Sequence, residues 1–152
     1  VDRLERTPQG QLRVIDFKSA RRPPTVAEAA ASDQLGVYQL AIDAGAFDDV
    51  APGASSAGAS LVYLRHESTD GWPKEFRQPS LTEKPHLTEE PDELQHPTWV
   101  HHRVAQARRV LAEGSFEARP GAHCRYCPVR SSCPARSGRW KSVFRLLKGW
   151  RG

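Results

Sequence analysis

The chain has 152 residues, 38% of them hydrophobic and 26% charged, with a formal net charge of +4. That is one domain's worth of chain with enough apolar residues for a modest core, which excludes a disordered polypeptide. The longest uncharged stretch, residues 50–64, is mostly Ala, Gly and Ser, so no transmembrane helix is expected, and the charged opening VDRLER argues against a signal peptide.

The charge is unevenly placed. Residues 119–151 carry nine Lys or Arg and no acid, which leaves residues 1–118 with 13 basic against 18 acidic side chains, a net −5. A basic end on an acidic body points to a polyanion or a membrane surface as partner of that end. The chain has no Met and opens inside a strand pattern, so a piece of a longer polypeptide is expected.

Residues 1–5 and 11–19 are predicted strands joined by the turn Thr7-Pro8-Gln9-Gly10. The second reads Leu12-Arg13-Val14-Ile15-Asp16-Phe17-Lys18, mostly apolar, as a central strand does. Arg21-Arg22-Pro23-Pro24 breaks the pattern. Thr25 is then an N-cap with Glu28 as capping-box partner, and one helix is predicted to residue 44, stopped by Gly45. Leu35, Tyr38, Ala41 and Ile42 give it an apolar stripe. A small-residue loop is expected over 48–58, a buried strand over 61–64 and an edge strand over 74–81. Residues 82–97 read as a surface loop, Thr98 caps a helix to 113 ended by Gly114, and 120–134 form an irregular Cys-bearing loop. Residues 139–150 read as a short amphipathic helix with Trp140, Val143, Phe144, Leu147 and Trp150 on one face. Strands alternating with helices indicate an α/β layered fold.

Asp16 and Lys18 are two apart on one strand, so both side chains leave the same face. Asp2 lies fourteen residues earlier, on the strand that a tight hairpin lays alongside. Two carboxylates and an ammonium can thus meet at one point of a sheet. Carboxylate oxygens bind Mg²⁺ or Mn²⁺, and an ammonium beside them can position a water or stabilise charge on a phosphate. Those are the components of metal-assisted phosphodiester hydrolysis. For so short a motif the alternative is a surface ion pair on a hairpin. Gln34 and Tyr38, at i and i+4, share one face of the following helix. They can hydrogen-bond a phosphate, or Tyr38 can be core with Gln34 its polar neighbour.

The succession VDRLE, GQLRVIDFK and a Q-x-x-x-Y helix resembles the PD-(D/E)xK nucleases of the RecB family. There a G-x-[IV]-D-R-[IL] strand, an [IV]-D-[FY]-K strand and a Q-x-x-x-Y helix follow one another. The resemblance covers residues 1–135 and implies a restriction-endonuclease-like α/β core, a central mixed sheet flanked by helices. It implies Asp2 and Asp16 as Mg²⁺ or Mn²⁺ ligands and Lys18 as the catalytic lysine. Gln34 and Tyr38 become the helix residues facing the active site and the DNA. Two family features have no counterpart, an upstream helix with a His or acidic ligand and a Gly before the first Asp; both would precede Val1. His66, His86, His96, His101, His102 and His123 all lie downstream and read as solvated or capping.

Cys124-x2-Cys127-x5-Cys133 is an odd, tight set that suits a cytosolic metal site better than a secreted disulfide framework. Three thiols are one short of the Cys₄ set of a [4Fe–4S] cluster or a structural zinc. His123, adjacent to Cys124, is a poor fourth ligand. The phrase C-R-Y-C-P-V-R-S-S-C-P, within loop 121–134, resembles the C-terminal motif of RecB-like nucleases in helicase–nucleases of AdnAB and AddAB type. In those, three such cysteines join a fourth far upstream around an iron–sulfur cluster. The resemblance implies Cys124, Cys127 and Cys133 as [4Fe–4S] ligands, with zinc or unliganded thiols as alternatives. The segment 136–152 is then a basic amphipathic tail that docks on a neighbouring domain or contacts the DNA backbone. An interfacial membrane helix fits its composition but not its company.

The implied activity is a cytoplasmic, metal-dependent DNA exonuclease, the nuclease module of a helicase–nuclease in double-strand-break repair and recombination. The implied partners are single-stranded DNA, a helicase motor domain in the same chain and a second helicase–nuclease subunit, with no membrane. A free-standing iron–sulfur nuclease of CRISPR-adaptation type is one competing reading. A catalytically silent DNA-end-binding or scaffold module is another.

Overall fold

The computed structural model describes residues 1–114, 118, 120–133 and 135. The helix expected at 139–150 and the tail from 136 lie outside those residues. The chain divides into two compact units, Val1–Arg108 and a second beginning at Arg109.

The first unit opens with a hairpin. The Pro–Gly turn folds β1 (Arg3–Arg6) antiparallel onto β2 (Leu12–Lys18), with Arg3 opposite Ile15 and Arg6 opposite Leu12. Thr7 satisfies the turn: its carbonyl accepts from Gly10 N at 2.9 Å and its hydroxyl from Gln11 N at 3.2 Å. β2 then pairs in parallel with β3 (Ser56–Glu67), Val14 opposite Ala59 and Lys18 opposite Tyr63. β4 (Pro73–Gln78) returns antiparallel to β3, giving a mixed sheet in the order β1-β2-β3-β4. As its apolar run indicates, β2 is an inner strand.

A parallel pair needs a crossover, and here it consists of two helices where one was expected. α1 (Val26–Ala30) starts on the expected capping box: the Thr25 hydroxyl accepts from Glu28 N at 3.1 Å and the Glu28 carboxylate from Thr25 N at 2.7 Å. It stops after five residues, because Ser32 is extended at φ −67°, ψ 113° and its hydroxyl caps a new helix through Leu35 N at 3.4 Å. That helix, α2 (Asp33–Asp43), ends at Ala44 just before Gly45.

β3 begins five residues before the expected strand, since its Ser, Ala and Gly residues carry no strand signature of their own. Their small size is what the pairing needs. Gly58 has φ +98°, and a Cβ there would lie 2.7 Å from the Gln78 carbonyl oxygen. β4 ends at Gln78 instead of continuing to 81, because Pro79 has no N–H to extend the ladder. The expected loop 82–97 holds one short helix, α3 (Pro91–Leu94), with Pro at its start. α4 (Trp99–Glu113) follows, its Thr98 hydroxyl accepting from His101 N at 3.5 Å.

One face of the sheet packs on α1 and α2 through Leu12, Val14, Leu61, Tyr63 and Phe76 against Ala29, Leu35 and Ile42. Burial of each large side chain contributes about 1.5–3 kcal/mol. Behind α2, Leu81, Trp99 and Val100 form a second cluster with Leu40 and Leu87. Gly36 permits the contact: a Cβ there would come within 2.7 Å of the Trp99 ring and a Val100 methyl. The second unit holds two short 3₁₀ turns, Ala122–Tyr126 and Arg130–Ser132, in place of a wholly irregular loop. Among the described residues no helix is long and apolar enough to cross a membrane.

Candidate active site

Asp16 points to the helix-covered side of β2, two residues beyond the fully buried Val14, and is itself only 5% exposed. The crossover returns the first turn of α2 over this end of the strand. Gln34, the second residue of α2, therefore meets both Asp16 and Lys18. Its side-chain amide donates to Asp16 Oδ1 at 3.2 Å and to the Tyr38 hydroxyl at 3.0 Å, while its Oε1 accepts from Lys18 Nζ at 2.9 Å. Both amide hydrogens and the carbonyl are thus engaged. Tyr38 is half-buried, packs at the core edge and accepts from Gln34.

Lys18 Nζ also lies 2.6 Å from Asp16 Oδ2. That contact is ionic without hydrogen-bond alignment, and Oδ2 is left buried with no hydrogen bond among the described residues. The Lys18 ammonium is thus the cation that balances this buried carboxylate oxygen. Asp2 continues the hairpin register beyond Arg3, which puts it opposite Asp16. Its Oδ2 accepts from Phe17 N at 2.8 Å, fixing the carboxylate beside the strand. Two carboxylates suit Mg²⁺ or Mn²⁺, hard cations that keep waters and bind one or two protein oxygens together with phosphate. The donor set fits such an ion.

The histidines stand apart from this network. His66 Nε2 contacts the Arg21 carbonyl at 2.8 Å, and His101 Nδ1 contacts the Thr98 hydroxyl at 2.8 Å in the capping role expected for it. The His96 and His102 rings stack at 5.3 Å.

In the second unit Cys124, Cys127 and Cys133 line one cavity of about 410 Å³ together with His123 and Arg130. All three thiols are free and half-buried, and Gly121 N donates to Cys124 Sγ at 3.3 Å. Their soft sulfur donors suit iron–sulfur or zinc in kind but number three, one short of a complete set. Among the described residues no three His, Cys, Asp or Glu side chains are arranged to hold a metal ion by themselves.

Sequence reasoning missed a buried amide pair. Gln39 and Gln78 are 0% and 3% exposed, and Gln39 Nε2 donates to Gln78 Oε1 at 2.8 Å. The available signal was spacing: Gln39 stands between Leu35 and Ile42 on the core stripe of α2, where an unpartnered amide would be costly.

No curated protein sequence matches the chain. The family model of the PD-(D/E)XK nuclease superfamily matches residues 1–134, from the Asp2 strand to just past the last cysteine. With a mixed sheet, a helical crossover and a D-x-K strand at the sheet's centre, the chain belongs to the PD-(D/E)XK nuclease superfamily.

Proposed function

We propose that the chain is the nuclease module of a helicase–nuclease and hydrolyses phosphodiester bonds in single-stranded DNA, as an exonuclease. The observation that carries the reading is the Asp16–Lys18–Gln34–Tyr38 network, in which the Lys18 ammonium lies on the buried Asp16 carboxylate and Gln34 holds both. Superfamily membership supports it, since such nucleases are typically metal-dependent.

Asp16 and Asp2 would hold Mg²⁺ or Mn²⁺, which supplies neutralisation of phosphate charge and activation of water. Lys18, steered by Gln34, places its ammonium where negative charge grows on the scissile phosphate. Water oxygen bonds to phosphorus, the ester P–O bond breaks, and the departing oxygen takes up a proton. Gln34 holds Asp16 and Lys18 in one geometry, and the Tyr38 hydroxyl, already an acceptor from Gln34, offers its own proton to a phosphate oxygen.

Cys124, Cys127 and Cys133 would contribute three ligands to a [4Fe–4S] cluster, the fourth cysteine lying elsewhere in a longer polypeptide. The likeness of the Cys phrase supports this; the three side chains line one cavity without being arranged to hold a metal by themselves. The same likeness supports a cytoplasmic protein with a helicase motor in the same chain and a second helicase–nuclease subunit.

The test is cleavage of an end-labelled single-stranded oligonucleotide with Mg²⁺ or Mn²⁺, with a chelator, and with Asp16→Ala. Metal-dependent shortening from one end, lost in Asp16→Ala while oligonucleotide binding persists, is expected. Undiminished cleavage by Asp16→Ala overturns the assignment.

A further inference from the structure

We infer that Gln78, buttressed by Gln39, is a positioning residue for the candidate site: it holds the break between α1 and α2 that aims Gln34 at Asp16 and Lys18. The inference rests on the proposed nuclease function for its catalytic consequence, and on geometry alone for its structural one.

Local sequence gives the break one signal, the N-cap Ser32, and otherwise opposes it. Residues 26–44 contain no proline, and Ala29, Ala30 and Ala31 favour a continuous helix. A helix stopped after five residues leaves late carbonyls short of helical partners, although Ala29 O accepts from Ser32 N at 3.1 Å and Ser32 O from Gly36 N at 3.0 Å. The two hydrogens of the Gln78 side-chain amide are shared among Ala29 O and Ala30 O of α1 and the N-cap carbonyl Ser32 O, at 3.3, 3.1 and 3.0 Å. Its own oxygen is held by Gln39 Nε2, which also donates to Pro79 O at 3.1 Å. Gln39 Oε1 in turn accepts from the Ser56 hydroxyl at 3.0 Å and from Leu81 N at 3.2 Å. One buried network thus ties the end of α1, the start and middle of α2, the first residue of β3 and the end of β4.

Gln34 sits only two residues beyond Ser32, the last carbonyl that Gln78 holds. Where the break falls decides where Gln34 stands. Its contacts to Asp16 and Lys18, at 3.2 and 2.9 Å, tolerate displacements of a few tenths of an ångström. A misplacement of about 1 Å can cost as much as a hundredfold in rate.

Gln78→Met keeps length and bulk but removes the donors. In the full chain, the Gln34 side-chain amide resonance, read by ¹⁵N NMR, should shift in Gln78→Met. It should not move in Ile42→Val, a core variant that leaves the network intact. In cleavage of a single-stranded oligonucleotide, Gln78→Met should lower kcat about tenfold or more with KM nearly unchanged. It should add nothing further to Gln34→Ala. Where Gln78→Met does not fold, Ser56→Ala removes only the outermost hydroxyl of the network, and the same resonance should shift less but detectably. An unmoved Gln34 resonance, or kcat losses that multiply between Gln78→Met and Gln34→Ala, overturns the inference. Absence of cleavage by the unmodified chain overturns the proposed function instead, and leaves the resonance test standing.

Discussion

The two constellations of chemically active side chains are built in opposite ways. Asp16, Lys18 and Gln34 project from a central strand and a capped helix, and each has a hydrogen-bond or ion-pair partner within the set. Cys124 lies within a short 3₁₀ turn and Cys127 and Cys133 follow one each, all half-exposed, with a backbone amide on Cys124 as the described hydrogen bond to a sulfur. The first geometry is therefore set by the core before any ion arrives. In the second, closing a ring of thiolates around a metal would supply order that the turns do not, as expected where metal binding and folding are coupled. Preorganisation and stapling are different uses of the same kind of donor atom.

Breaking one arrangement should leave the other standing. Lys18→Ala should lower kcat about a hundredfold to a thousandfold, the usual cost of removing a charge-stabilising donor. Metal content at the cysteines should be unchanged, as checked by cleavage assay and iron analysis. Cys124→Ser should do the reverse in a chain that carries its cluster. Iron is lost and the melting temperature falls by roughly 5–10 °C, while kcat per folded molecule changes by no more than about twofold. A Cys124→Ser protein with normal iron and melting temperature would remove the stapling half of the contrast.

Tyr38→Phe should slow cleavage by about three- to tenfold, the worth of one hydrogen bond, and leave the melting curve in place because the ring remains. Unchanged cleavage would return Tyr38 to the core alone. The smallest effect concerns a carboxylate outside both sites. Burial alone would raise the Glu93 carboxyl, but the Thr88 hydroxyl, the Leu87 and Thr88 amides and the Arg103 charge together hold it below the ordinary value of 4.5. A depressed folded-state value means that its contribution is present above pH 4.5 and is lost as pH falls through the lowered value. Glu93→Gln should therefore cost about 1–2 kcal/mol at pH 7, and the difference should vanish in strong acid. Urea unfolding across that range measures it, and a cost independent of pH would show that charge has no part.

What could be read in the sequence was what near neighbours decide. The Pro–Gly hairpin, the Thr25–Glu28 capping box and the Gln34–Tyr38 pairing on one helix face each depend on residues within a turn or two. The break at Ser32 was only half legible: its N-cap serine is local, but the amide that holds the end of α1 stands 46 residues away at Gln78. The start of β3 was not legible: Ser56-Ala57-Gly58-Ala59-Ser60 looks like a loop and becomes a strand by pairing with β2, with Gly58 fitting against the Gln78 carbonyl. For the candidate site, spacing alone could align Asp16 with Lys18. Bringing Gln34 onto them required the crossover to close.

That crossover also orders events in time. The β1–β2 ladder joins residues close in sequence, such as Arg6 and Leu12, and a hairpin of this kind forms in about 1–10 μs. The β2–β3 ladder joins Val14 to Ala59 across the whole of α1 and α2, and such non-local parallel pairing is slow. Asp2 and Asp16 can therefore become neighbours in a chain that is still largely open, whereas Gln34 reaches them only at the end. On a ribosome the acidic pair would be made early, and its glutamine clamp would wait until β3 had emerged to complete the sheet.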